Sequence, residues 1–94
     1  MAEIKEYNPK LAEIGNLLKA KREALGSRYK SRDKFITERS TELFAGEPWI
    51  SWRHLTNLEN GKNWPSLEML IKHAYALEVD PVELFREILE IYNQ

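Results

Sequence analysis

Four side chains within six residues have the types and spacing for recognition chemistry: Trp52, Arg53, Thr56 and Asn57. A guanidinium is a planar fork of donors that matches the two acceptors on a guanine edge, and an asparagine amide can pair with adenine. Thr56 could touch a methyl group or a phosphate. Trp52 brings one N–H donor and a large flat face. At helical spacing these four lie opposite Leu55 and Leu58, which are three apart and so share a buried face. A short helix with large polar and planar groups on its exposed first turn is what a DNA major groove accepts. Arg53 and Asn57 are therefore the leading base-contact candidates, with Trp52 and Thr56 beside them.

The stretch that carries them, WISWRHLTNLENGKNWP, marks its own limits. Ser51 can cap the helix through its hydroxyl. Gly61 can take the left-handed conformation that ends it, and Pro65 opposes continuation. The predicted helix runs from about Trp52 to Glu59. Lys62 and Asn63 follow it and are expected on the DNA backbone, as is Ser51 at its start.

Upstream, SRYKSRDK places Arg28, Lys30, Arg32 and Lys34 within eight residues. A basic turn opening onto a helix N-terminus suits phosphate, because free amides there add to the attraction. Lys30, Arg32 and Lys34 are the phosphate candidates from this segment. Its bland alternative is a solvated loop. Ser31 can cap a second helix from about Arg32 to Ala45, with Phe35, Ile36, Arg39, Leu43 and Phe44 on one stripe and Gly46 and Pro48 stopping it. Trp49 and Ile50 are expected to be buried between helices two and three.

The first helix is predicted over LAEIGNLLKAKREAL, with Asn8 and Pro9 able to start it and Gly26 to end it. Leu11, Ile14, Leu18 and Leu25 share its apolar side; Lys19, Lys21, Arg22 and Glu23 fall largely on the other. Residues 1–10 form an N-terminal arm. A fourth helix, SLEMLIKHAYALEV, is capped by Ser66 and carries Leu67, Leu70, Ile71, Ala74 and Leu77. The fifth, PVELFREILEIYNQ, starts on Asp80 and Pro81, with Glu83 placed to close a capping box. Its apolar residues exceed what one face against a small core can cover. Leu84, Ile88, Leu89, Ile91 and Tyr92 are accordingly expected at a dimer interface, the other option being packing within the chain.

Five helices with no convincing strand and no repeat make one all-α domain over residues 1–94. Net charge is −1, yet residues 1–39 hold ten Lys/Arg against six Asp/Glu, and residues 63–94 two against six. A basic first half suits a domain with one phosphate-facing side. There are no cysteines, the longest apolar run is a few residues, and the N-terminus lacks a signal peptide's hydrophobic region. A cytoplasmic protein is expected, with no membrane, metal or cofactor requirement. His54 and His73 are read as surface or half-buried. No nucleophile–base pair or phosphate loop accompanies the glutamates, so an enzyme is not expected.

ISWRHLTNLENGKNWPSLEMLIKHAYALEVDPVELF resembles the Xre family of helix-turn-helix domains, the lambda-repressor-like fold. The resemblance rests on Ile50-Ser51, Leu55, Leu58-Glu59-Asn60-Gly61-Lys62, Pro65-Ser66-Leu67, Leu70, Ala74, Leu77 and Val79-Asp80-Pro81. IGNLLKAKREALG resembles the family's first helix, and the match spans about residues 14–85. It implies a five-helix fold, operator binding by helix three, and a dimer on a near-palindromic site. The implied role is a transcriptional repressor. An antitoxin or the N-terminal module of a larger signal-responsive regulator is the alternative on the same fold.

The resemblance also implies that Arg32 holds a position for phosphate or helix-orienting contact and that Glu59 makes an internal polar contact. Two features depart from the family. Phe35 to Ser51 is about nine residues longer than its pattern, either at the end of helix two and the turn or as an insertion over residues 27–39. Trp52 stands where the family usually has a polar residue; it could meet a thymine methyl or sugar, or pack inward.

Overall fold

Each helix begins on a side chain that satisfies its free amides. In the computed structural model, which describes residues 8–94, α1 covers Pro9–Glu23, α2 Arg32–Leu43, α3 Trp52–Glu59, α4 Leu67–Ala76 and α5 Pro81–Tyr92. Asn8, Ser31, Ser51, Ser66 and Asp80 are their caps. Removing one such cap typically costs about 1 kcal/mol. Among the described residues there is no strand, so the domain is all-α as expected. Among the described residues no helix is long and apolar enough to cross a membrane.

The N-terminal arm largely lies outside the described residues, and its last two positions belong to α1. One element was not anticipated. Ser27–Lys30 forms a 3-10 turn between α1 and α2. The second helix stops at Leu43, two residues early, because Ala45 and Gly46 both take positive φ, 53° and 83°. Residues 32–43 form one unbroken helix, and residues 44–51 form the turn that leads into α3. Leu43 is exposed, while Ser40 is buried and its hydroxyl donates to the Ile36 carbonyl at 2.7 Å. The reciprocal half of the capping box on α5 is not formed: Glu83 pairs with Arg86 at 3.2 Å.

The core is built where the apolar stripes converge. Leu11, Ile14 and Leu18 of α1, Phe35 of α2, Leu55 and Leu58 of α3, Ala74 and Leu77 near the end of α4, and Leu84 and Ile88 of α5 are all buried. Trp49 and Ile50 seal the 44–51 turn from beneath, as expected. The Trp49 indole stacks on Phe44 with centroids 5.5 Å apart and meets Phe35 edge-on at 5.6 Å. The long turn thus carries its own packing partners.

Two glycines fix how α1 meets α3. Gly61 (φ 71°) ends α3 in a left-handed turn, with the Lys62 amide donating to Asn57 O at 2.9 Å. At Gly15 the approach is tighter: a Cβ there would lie 2.5 Å from Glu59 O and 2.6 Å from Leu58 O. Both contacts are backbone, so the helices must separate to admit a methyl. Gly15→Ala is expected to cost about 1–3 kcal/mol by overpacking. Urea denaturation measures the loss; an unchanged midpoint would mean that α1 does not bear on α3 here.

Candidate functional site

The outward face of α3 follows from its wheel. At about 100° per residue, Trp52, Thr56, Asn60, Arg53 and Asn57 occupy about 140° of arc. Leu55, Leu58 and Glu59, on the inward side, are buried. Trp52 is 51% exposed and is not among the residues of the buried core. Arg53 is exposed and Asn57 half-buried. Ser51 caps α3, its Oγ accepting from the His54 amide at 3.0 Å, and remains at the surface. Thr56 is placed on the arc, but its hydroxyl oxygen is buried without a partner. The Thr56 hydroxyl is turned away from the surface of the arc.

What holds this face is a buried ion cluster behind it. Arg22 Nε donates to Glu59 Oε2 at 2.8 Å and Arg22 Nη2 to Oε1 at 2.9 Å, a two-point pair. Arg22 Nη1 donates to the carbonyls of Tyr29 at 2.6 Å and Lys30 at 2.8 Å. Arg32 Nε adds a second cation on Glu59 Oε1 at 2.9 Å. One carboxylate at the last turn of α3 therefore fixes α1, the 3-10 turn and the start of α2 together. Burial alone would raise the Glu59 pKa. The hydrogen bonds and charges of Arg22 and Arg32 outweigh that and hold it below the ordinary value.

Glu59 is thus the internal polar contact anticipated, and Arg32 has the helix-orienting part of its expected role, with its side chain only one-fifth exposed. Arg22 was assigned to the solvent side and is instead 2% exposed. Its position was legible in spacing, since 11, 15, 18 and 22 lie on one helical stripe; its residue type concealed it. His73 is a second correction. It is 1% exposed in α4, with its ring 5.2 Å from Trp49 in an edge-on contact.

The phosphate candidates differ in their freedom. Lys30, Lys34 and Lys62 are exposed. The Lys30 backbone is bonded to the Arg22 cluster, so the basic turn and α3 share one anchor. Asn63 is half-buried, with its side-chain oxygen enclosed and unpartnered. Nearby, Arg28 is paired with Glu38 in the middle of α2.

The expected dimer residues divide. Leu84 and Ile88 are 1% and 7% exposed and belong to this chain's own core, which corrects their assignment. Ile91 is half-buried against that core. Leu89 and Tyr92 are exposed at 41% and 51%, beside Phe85 at 46%. A groove of about 230 Å³ between α4 and α5 is walled by Leu67, Leu70, Ile71, Pro81, Val82 and Phe85. A second, of about 240 Å³, continues from Leu70 and Phe85 to Trp64 and Tyr92. Neither groove is lined by a residue of α3.

Among the described residues no group of three or more His, Cys, Asp or Glu is placed to hold a metal ion. No protein-family model, curated protein or solved structure matches this chain.

Proposed function

We propose that the chain is a sequence-specific DNA-binding regulator, a helix-turn-helix domain of the Xre kind that lays α3 in the major groove. The observation that carries this reading is the outward arc of α3. Trp52, Arg53 and Asn57 project from a short capped helix whose last turn is locked from behind by Arg22, Glu59 and Arg32. Rigid backing matters because base reading needs donors held to a fraction of an ångström. Arg53 addresses guanine and Asn57 adenine. Ser51, Lys30, Lys34, Lys62 and Asn63 serve the phosphates.

The exposed residues of α5 support a homodimer. Two copies would set their α3 helices about 34–36 Å apart on a near-palindromic operator, where occupancy represses transcription. The reading involves no catalysis and no cofactor.

Selection of bound duplexes from a random pool, followed by sizing of the complex, tests binding, symmetry and stoichiometry together. Arg53→Ala is expected to weaken binding to the selected site about 10–100-fold and to relax one base position. Lys34→Ala should weaken all sequences alike and lower the salt slope by about one. If no duplex shows salt-sensitive binding, the reading fails. The apolar α4–α5 surface favours one other reading, a protein-interaction module such as an antitoxin or the N-terminal module of a signal-responsive regulator. A co-purifying protein partner in a chain without DNA affinity would select it.

A further inference from the structure

We infer that Trp52 reads the C5-methyl group of a pyrimidine, beside the base pair addressed by Arg53. This rests on the DNA-binding reading of α3. The indole at this position is not part of the buried core. Leu55 and Leu58 supply the inward apolar groups of α3, at 0% and 1% exposure. Trp49 is 5% exposed within the core, and Trp64 is half-buried against Tyr92, with ring centroids 6.1 Å apart. Trp52 is unlike both, half exposed at the first position of α3.

Its neighbours on the arc narrow what it can touch. Thr56, between Trp52 and Arg53 on the wheel, has its hydroxyl oxygen buried, so the arc offers no side-chain hydroxyl beside the indole. An indole has a single donor and no acceptor; its faces are apolar. Nearly every group on the major-groove edge of a base pair is a hydrogen-bond donor or acceptor. The largest apolar group there is the methyl on C5 of thymine, which 5-methylcytosine shares and which projects into the groove where cytosine has only a hydrogen. An apolar face pressed against donors and acceptors would strip their water without replacing it, which is unfavourable. Pressed against a methyl, it removes apolar surface on both sides from water.

The test uses the full chain and the duplex obtained by selection. Each thymine is replaced in turn by deoxyuridine, which deletes only the methyl group. One position in each half-site is expected to lose affinity about 3- to 10-fold. That loss should vanish in Trp52→Ala, whose melting temperature should stay close to the parent's. A second pool made with 5-methylcytosine in place of cytosine separates the two sources: enrichment there of a methylated position shows 5-methylcytosine reading, whereas thymine at the same position in the ordinary pool shows thymine reading. A chain that binds its site yet ignores every methyl deletion, and gains nothing from the methylated pool, overturns this inference alone. An equal deoxyuridine loss in Trp52→Ala overturns it as well. A chain that binds no duplex overturns the reading of α3 itself.

Discussion

Replacing Glu59 with alanine is expected to cost the domain about 3–5 kcal/mol, the penalty for removing one partner of a buried ion pair. Arg22 is 2% exposed and cannot rehydrate its charge without pulling α1 away from α3. The loss would leave Arg22 bonded only to the Tyr29 and Lys30 carbonyls and would free Arg32 from its Glu59 contact. A domain of this size has about 5–15 kcal/mol in total, so the variant should lie near the edge of stability. Glu59→Gln keeps the shape but not the charge, and should lose most of the same energy. The exposed Lys72–Glu68 pair is the control, since breaking a surface pair costs about 0–1 kcal/mol. Urea denaturation followed by helical circular dichroism measures all three. A Glu59→Ala midpoint matching that of Glu68→Ala would remove the cluster from its structural role.

The same cluster shows what a sequence displays and what it hides. Local signals were readable: Ser31, Ser51, Ser66 and Asp80 each accept the amides their positions imply, and Gly61 ends α3 in the left-handed turn assigned to it. Those features depend on residues within a few positions of one another. Arg22 depends on Glu59, which lies 37 residues away. Nothing local distinguishes an arginine facing such a partner from one facing water, although the stripe through Leu11, Gly15 and Leu18 passes through it. His73 is the same case: it sits three residues after Leu70 and four before Leu77, on the inward side of α4, and its ring meets Trp49, 24 residues earlier in the chain.

The division of α5 was hidden for a related reason. Helix α5 meets both α1 and α4, but apolar residue types alone do not separate Leu84 and Ile88, which are buried, from Leu89 and Tyr92, which are exposed. On the arc of α3, the outward residues could be named from spacing, whereas the inward turn of the Thr56 hydroxyl is a rotamer that no periodicity encodes.

His73 gives the domain an acid sensitivity of its own. Its imidazole is wholly buried, and burial is the main cause that lowers its pKa from 6.5 to about 4. The Glu59 charge and the Met69 backbone pull upward but do not offset it, and His54 adds slightly to the lowering. In the unfolded chain the ring protonates at its ordinary value. Between pH 6.5 and about 4 the unfolded state therefore holds a proton that the folded state refuses. Stability is unaffected above that window and falls as the pH drops through it, by up to about 1.4 kcal/mol per pH unit and about 3 kcal/mol in all. Glu59 acts in the next window down. Its folded pKa is lowered from 4.5, so its contribution is present above 4.5 and is lost as the pH falls through the folded value. Acid should therefore weaken the domain first through His73 and then through the Arg22–Glu59–Arg32 cluster. Urea midpoints of the parent and of His73→Phe, taken from about pH 7 to about pH 4, separate the two. The variant's stability should fall less over this range, by about 3 kcal/mol, and the steeper loss below it should remain. Parallel profiles for parent and variant would show that His73 takes up its proton as readily folded as unfolded.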